Sequence, residues 1–162
     1  MKFLRAQEIN NNADNYIGLL QNAKSTSECT VIWIGALAVV RSVGHVIKYE
    51  ARKTRKGADI EARLWKTWKD EPVCKWLMSA RNEAIKQGEL QFSASQIFEI
   101  KGYTTAGLRS EGEYREFSVN VKSAEEIEEF ADLPVPDQII STCINWWDQK
   151  ILEIRSDAGW KT

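Results

Sequence analysis

Histidine is almost missing from this chain: among 162 residues there is one, His45. Cysteine occurs at 29, 74 and 143 only, too far apart for the ligand spacing of a zinc site. No metal and no cofactor is therefore expected. An odd number of scattered cysteines also excludes a disulfide framework and points to a reducing cytoplasm. Each thiol stands among apolar neighbours in a helical pattern, where it reads as a small hydrophobe. Glycine is nowhere arranged as a phosphate loop ahead of a helix, and no serine stands in a nucleophile elbow. Long apolar runs are lacking too. Val31 to Val40 is ten residues, closed by Arg41, which is short for a bilayer and reads as a buried helix. The start, MKFLRAQEIN, has charge without the apolar core of a signal peptide. A soluble cytoplasmic protein with no membrane partner is the expectation. There is no internal repeat and no low-complexity segment.

An excess of one charge is the last absence. Twenty-two basic residues face 23 acidic ones, a net charge of −1, which argues against sequence-independent binding along a duplex. A local basic cleft stays open. The densest basic run, Lys48 to Lys56, holds Lys48, Arg52, Lys53, Arg55 and Lys56, and reads as a solvated helix end.

What is present is apolar bulk. The chain is 43% hydrophobic and 28% charged, ordinary for a globular protein, and its length suits a single domain over 1–162. Seven tryptophans imply a large core for that length. Six of them (Trp33, Trp65, Trp68, Trp76, Trp146, Trp147) fall in segments with helical periodicity.

Ile9, Ala13, Tyr16, Ile17 and Leu20 predict a first helix over about 4–23, with Asn10-Asn11-Asn12 breaking or delaying its start. Ser25 and Glu28 form a capping box. The helix it opens carries two apolar stripes, Trp33-Leu37-Val40-Gly44-Ile47 and Ile32-Ala36-Val39-Val43-Val46, so it should sit centrally. Arg41, His45 and Lys48 follow one another on its remaining face. Gly57 marks a break before a third helix over about 59–69. Asp70-Glu71-Pro72 reads as a stop and restart, opening a fourth helix to about Gln87 with Gly88 behind it.

After Gly88 the period changes to two at Leu90, Phe92, Ala94, Phe98 and Ile100, and again at Phe117, Val119 and Val121. This predicts a small antiparallel hairpin or three-stranded sheet inserted at about 90–121. Ser123 and Glu126 cap a short acidic helix to Phe130, whose Glu125, Glu126, Glu128 and Glu129 read as a solvated face. A last helix from Asp137 carries Ile140, Ile144, Trp147, Ile151 and Ile154. Trp146 and Trp147 cannot both face that stripe, which leaves one to cover a dimer surface or the protein's edge. The class is mainly α, a five- or six-helix bundle with a β insertion.

The segment WLMSARNEAIKQG, residues 76–88, joins Arg41-Ser42-Val43 as the one polar constellation. An apolar helix ends near Arg41-Ser42-Val43. A tryptophan-bearing segment (Trp65, Trp68), an Asp-Glu-Pro restart and a helix with Arg81-Asn82 then follow. Over about residues 28–90 this order resembles the small helical HEPN-like proteins of bacteria. The resemblance implies an all-helical homodimer that cuts RNA without a metal. In such proteins an arginine binds the scissile phosphate and a histidine is general base on the ribose 2′-hydroxyl. Arg81 matches the arginine and Asn82 the polar position, while Lys86 stands where the histidine is expected.

That departure decides the reading. A free lysine has a pKa of about 10.4, and serving as a base near pH 7 would require a fall of about three, or roughly 4 kcal/mol. As a cation Lys86 still suits phosphate. His45 is the other candidate base, although on so apolar a helix it reads first as a satisfied core histidine. Arg41 and Arg81 equally suit carboxylate anchors or helix caps, and Asn82 a loop contact. The expectation is a non-catalytic binding or regulatory module. Arg41, Arg81, Asn82 and Lys86 would form its pocket for RNA, another phosphate-bearing ligand or a protein. The alternative is a metal-independent ribonuclease using Arg81, Asn82 and His45.

Overall fold

A computed structural model describes residues 3–87, 92–103, 109–119 and 136–159, with the side chains of 3–25, 27–80 and 136–159. The fold is mainly α. Helices α1 (Leu4–Gln21), α2 (Thr26–Ala51), α3 (Arg55–Trp68), α4 (Pro72–Gln87) and α5 (Pro136–Asp157) pack as a bundle. Between α4 and α5 the backbone pairs antiparallel as β1 (Phe92–Tyr103) and β2 (Arg109–Val119). The register runs from Phe92 opposite Val119 to Tyr103 opposite Arg109, with an irregularity between Ala94 and Ile97. The acidic helix expected over 123–130 and the connector at 133–135 lie outside the described residues.

Helix α2 is the hub, packing against α1, α3, α4 and α5. Ser25 Oγ accepts the Glu28 N–H at 3.1 Å, while the Glu28 carboxylate accepts the Lys24 N–H at 2.8 Å. The return bond of the capping box thus lands one residue earlier than expected. Cys29, Trp33, Ala36, Leu37, Val40, Val43 and Ile47 are buried, using both apolar stripes. The helix extends well beyond the ten-residue apolar run. Ser27–Ala51 is long and apolar enough to cross a membrane by length and composition alone, a test that a bundle's core helix also passes.

The asparagine run neither breaks nor delays α1. Asn10 is buried, and its Nδ2 donates to the Ile144 carbonyl at 3.0 Å and to Asp148 Oδ1 at 2.8 Å. Gln7 Nε2 donates to the same Asp148 oxygen at 2.7 Å. Tertiary hydrogen bonds to α5 thereby outweigh poor local propensity. The start of α1 is capped from afar, since the Ala6 N–H donates to buried Glu50 on α2 at 3.1 Å.

Gly57 is not a break. Thr54 is the N-cap of α3, and its Oγ1 accepts the Gly57 N–H at 3.0 Å, so Gly57 lies in the first turn. A Cβ there would stand 2.6 Å from the Ala51 carbonyl oxygen, so the glycine lets α3 begin hard against the end of α2. The basic run consequently spans two helices and their turn. The Asp70-Glu71-Pro72 restart holds, with α3 ending at Trp68 and α4 opening on Pro72.

Neither Trp146 nor Trp147 lies on a surface. Both are buried, because α5 is contacted on several sides, and their rings meet edge to face with centroids 4.5 Å apart. Trp147 leans on Gly44 of α2, where a Cβ would sit 2.7 Å from its Cη2 atom. The Trp146 indole N–H donates to Glu71 at 2.6 Å. Lys150 lies between Glu71 at 2.6 Å and Glu153 at 3.6 Å, with Trp146 and Trp68 ring centroids at 5.4 and 5.9 Å. Glu153 in turn accepts the Trp68 indole N–H at 3.0 Å.

Two glycine substitutions separate packing from propensity. Gly18 on α1 has nothing within 4 Å of an added Cβ, so Gly18→Ala is expected to stabilise by roughly 0.5–1 kcal/mol. Gly44→Ala drives a methyl into Trp147, and overpacking should exceed the same propensity gain, for a net loss of about 1 kcal/mol. Urea unfolding of both variants checks the opposite signs.

Candidate functional site

Four helices contribute to one cavity, each through residues at helical spacing. Helix α2 supplies Arg41, Gly44, His45 and Lys48; α3 supplies Glu61 and Trp65; α4 supplies Cys74, Leu77 and Met78; α5 supplies Trp147. The cavity holds about 100 Å³. Its walls are mainly apolar, and its polar groups come from one stripe of α2 and one residue of α3.

Exposure grades the polar groups. Lys48 and His45 are exposed, Arg41 is half-buried, and Glu61 is buried at 6% exposure. His45 is thus no core histidine: the outward stripe of α2 carries it to the cavity edge. No hydrogen bond or ion pair reaches the Glu61 carboxylate among the described residues. Of the basic run, Lys48 alone lines the cavity.

The structure brings Arg41 and His45 together with the first turns of α4, as side-by-side packing of the two helices requires. Trp33 of α2 meets Trp76 of α4 edge to face in the same contact, centroids 6.2 Å apart. Arg81, Asn82 and Lys86 stand on the later turns of α4, and their side chains lie outside the described residues.

Sequence reasoning missed Glu61. The signal was available, because Gly57, Ile60, Glu61, Leu64 and Trp68 share the buried stripe of α3, and Glu61 is the one charge on it. An ionisable residue on a core stripe marks either a buried pair or a site.

Nucleophilic chemistry through the thiols is disfavoured. Burial pushes Cys74 up to about 11, with nearby Glu71 adding to the rise and Lys150 opposing it. Cys29 is likewise raised to about 11, by burial first and then by Asp137 and Glu28. Burial alone lifts Cys143 far above the ordinary thiol value. All three stay protonated near neutral pH, and a thiol is a poor nucleophile beside its thiolate. Among the described residues no three of His, Cys, Asp and Glu gather as a metal-ligand set.

The raised thiols have a sign. The native chain keeps protons that the unfolded chain releases, so this stabilisation is complete below pH 9.0 and is lost as pH climbs through about 11. Urea midpoints are expected to hold steady from pH 7 to 8.5 and to fall by pH 10.5, less so when Cys29 and Cys74 are replaced by alanine. In the native protein none of the three thiols should react with a disulfide reagent at pH 8.

No protein family, curated protein or solved structure matches the chain.

Proposed function

We propose that the chain is a non-catalytic binding or regulatory module whose cavity takes a phosphate-bearing ligand. One observation carries this reading: Arg41, His45 and Lys48 form a single basic stripe of α2 that borders an otherwise largely apolar hollow. Cationic side chains beside apolar walls bind phosphate oxygens strongly, because water competes less well there. Arg81, Asn82 and Lys86, one helix away, extend the same set in this reading. So do the resemblance to HEPN-like bundles, a homodimeric cytoplasmic state, and the 92–119 ribbon as a β insertion in one domain.

The exposure of His45 beside Arg41 favours one alternative, a metal-independent ribonuclease. There Arg81 and Asn82 would hold the scissile phosphate and His45 would take the 2′-hydroxyl proton. The module is preferred because the position expected to hold the base holds Lys86.

Titration with inorganic phosphate and with a short labelled RNA, in the presence of a chelator, tests both readings. Loss of a charge-assisted contact is worth about 1.5–3 kcal/mol, so Arg41→Ala should weaken phosphate binding tenfold or more, as should Arg81→Ala. RNA should stay intact. Cleavage that survives the chelator and disappears in His45→Ala would replace the module with the ribonuclease. Failure of both ligands to bind would remove the phosphate reading.

A further inference from the structure

We propose that Cys74, Met78 and His45 form a binding site for a soft monovalent metal ion, copper(I). This goes beyond the phosphate reading and does not depend on it.

The donors are scarce, and they converge. The chain has one histidine and, after its first residue, one methionine. Both line the cavity, and with them stands one of the three cysteines. Spacing along the chain hides this set, since His45 lies on α2 and the two sulfur residues lie on α4. Cys74 and Met78 are four residues apart on one helix, which puts their Cβ atoms about 5–6 Å from each other. One ion can bridge two side chains so placed, and the outward stripe of α2 brings the imidazole to the same hollow.

Exposure gives the ion a way in. Cys74 is buried, Met78 is 41% exposed and His45 is exposed. An ion from solvent therefore meets the thioether and the imidazole first and finds the thiol deeper. None of the three side chains makes a hydrogen bond or ion pair to another described residue.

The donor set selects the ion. Thiolate and thioether are soft ligands suited to copper(I), and imidazole binds copper as well. A structural zinc ion takes four nitrogen, sulfur or carboxylate ligands, and this cavity has no second thiol or imidazole. Magnesium and calcium require several oxygens, and Glu61 is the one carboxylate lining it. Charge points the same way. The thiol gives its proton to solvent as the metal–sulfur bond forms, so thiolate and monovalent ion cancel. A divalent ion would leave net positive charge in a cavity that already holds Arg41 and Lys48.

Anaerobic titration of the full chain with copper(I), in competition with the colorimetric chelator bicinchoninate, tests the assignment. The protein should withdraw one equivalent of copper(I) from the chelator, and zinc(II) should not displace it. Losing an outer-shell partner of a metal costs about 10–100-fold in affinity, so losing a ligand should cost about tenfold or more. Met78→Leu and His45→Ala change exposed side chains, and circular dichroism should show both folded. Each should weaken copper(I) by that factor. Cys74→Ala should abolish the transfer, while Cys29→Ala should keep it. X-ray absorption of the wild-type complex should show sulfur and nitrogen neighbours, with one sulfur missing in Met78→Leu. Failure to withdraw copper(I) would overturn the proposal, as would unchanged affinity in Met78→Leu or in Cys74→Ala. Inorganic phosphate reads Arg41 and Lys48 instead, so the failure of either ligand leaves the other result standing.

Discussion

The amine of Lys150 is the point on which the bundle closes. It is 12% exposed, held between two carboxylates and beside two indole rings, and both indoles spend their N–H groups on the same carboxylates. A lysine so far from water is tolerated only because every part of its surroundings answers its charge. The partners come from α3, from the turn before α4 and from α5 itself. A helix entering late in the sequence is thereby fixed against two that entered early. Once α5 is fixed, Trp147 reaches Gly44 and Asn10 finds the Ile144 carbonyl. The cavity gains its fourth wall from the same event, so its shape is set by an ion pair that does not line it.

Within that frame the cavity joins two kinds of surface that seldom meet. The outward stripe of α2 turns from apolar to basic at Arg41, and the inward stripe of α3 contains one acid. Where the stripes converge, opposite charges share an apolar hollow without bonding to each other among the described residues. Cys74 stands in the same hollow, but burial keeps its proton in place. On the proposed reading this arrangement serves recognition, with charged groups of graded exposure around one hollow.

Much of the fold was legible. Capping at Ser25, the proline restart at Pro72 and the apolar stripes of α2 and α5 are local patterns that tertiary packing reinforced. The failures came where a distant partner reversed a local preference. Asn10 reads as a helix disruptor until its bonds to α5 are known. Gly57 reads as a stop until the Ala51 carbonyl beside it explains why no side chain fits. Trp146 reads as surface because a single stripe cannot hold it, yet α5 is packed on several sides. For the cavity, the helical spacing of Arg41, His45 and Lys48 was visible, but their joining with Glu61 was not. That joining depends on how α3 packs against α2, which no charge pattern in the sequence encodes.

The capping of α1 by Glu50 bears on the order in which the protein assembles. A helix usually finds its first hydrogen-bond acceptor within its own opening residues, and Phe3 offers none. Here the acceptor is 44 residues downstream, at the far end of the longest helix. This cap therefore exists only when α2 lies against α1, so the two helices stabilise each other. The second set of polar anchors for α1 lies on α5, more distant still in sequence. The opening turns of α1 are thus held by contacts of long separation along the chain, the kind whose loop closure makes folding slower.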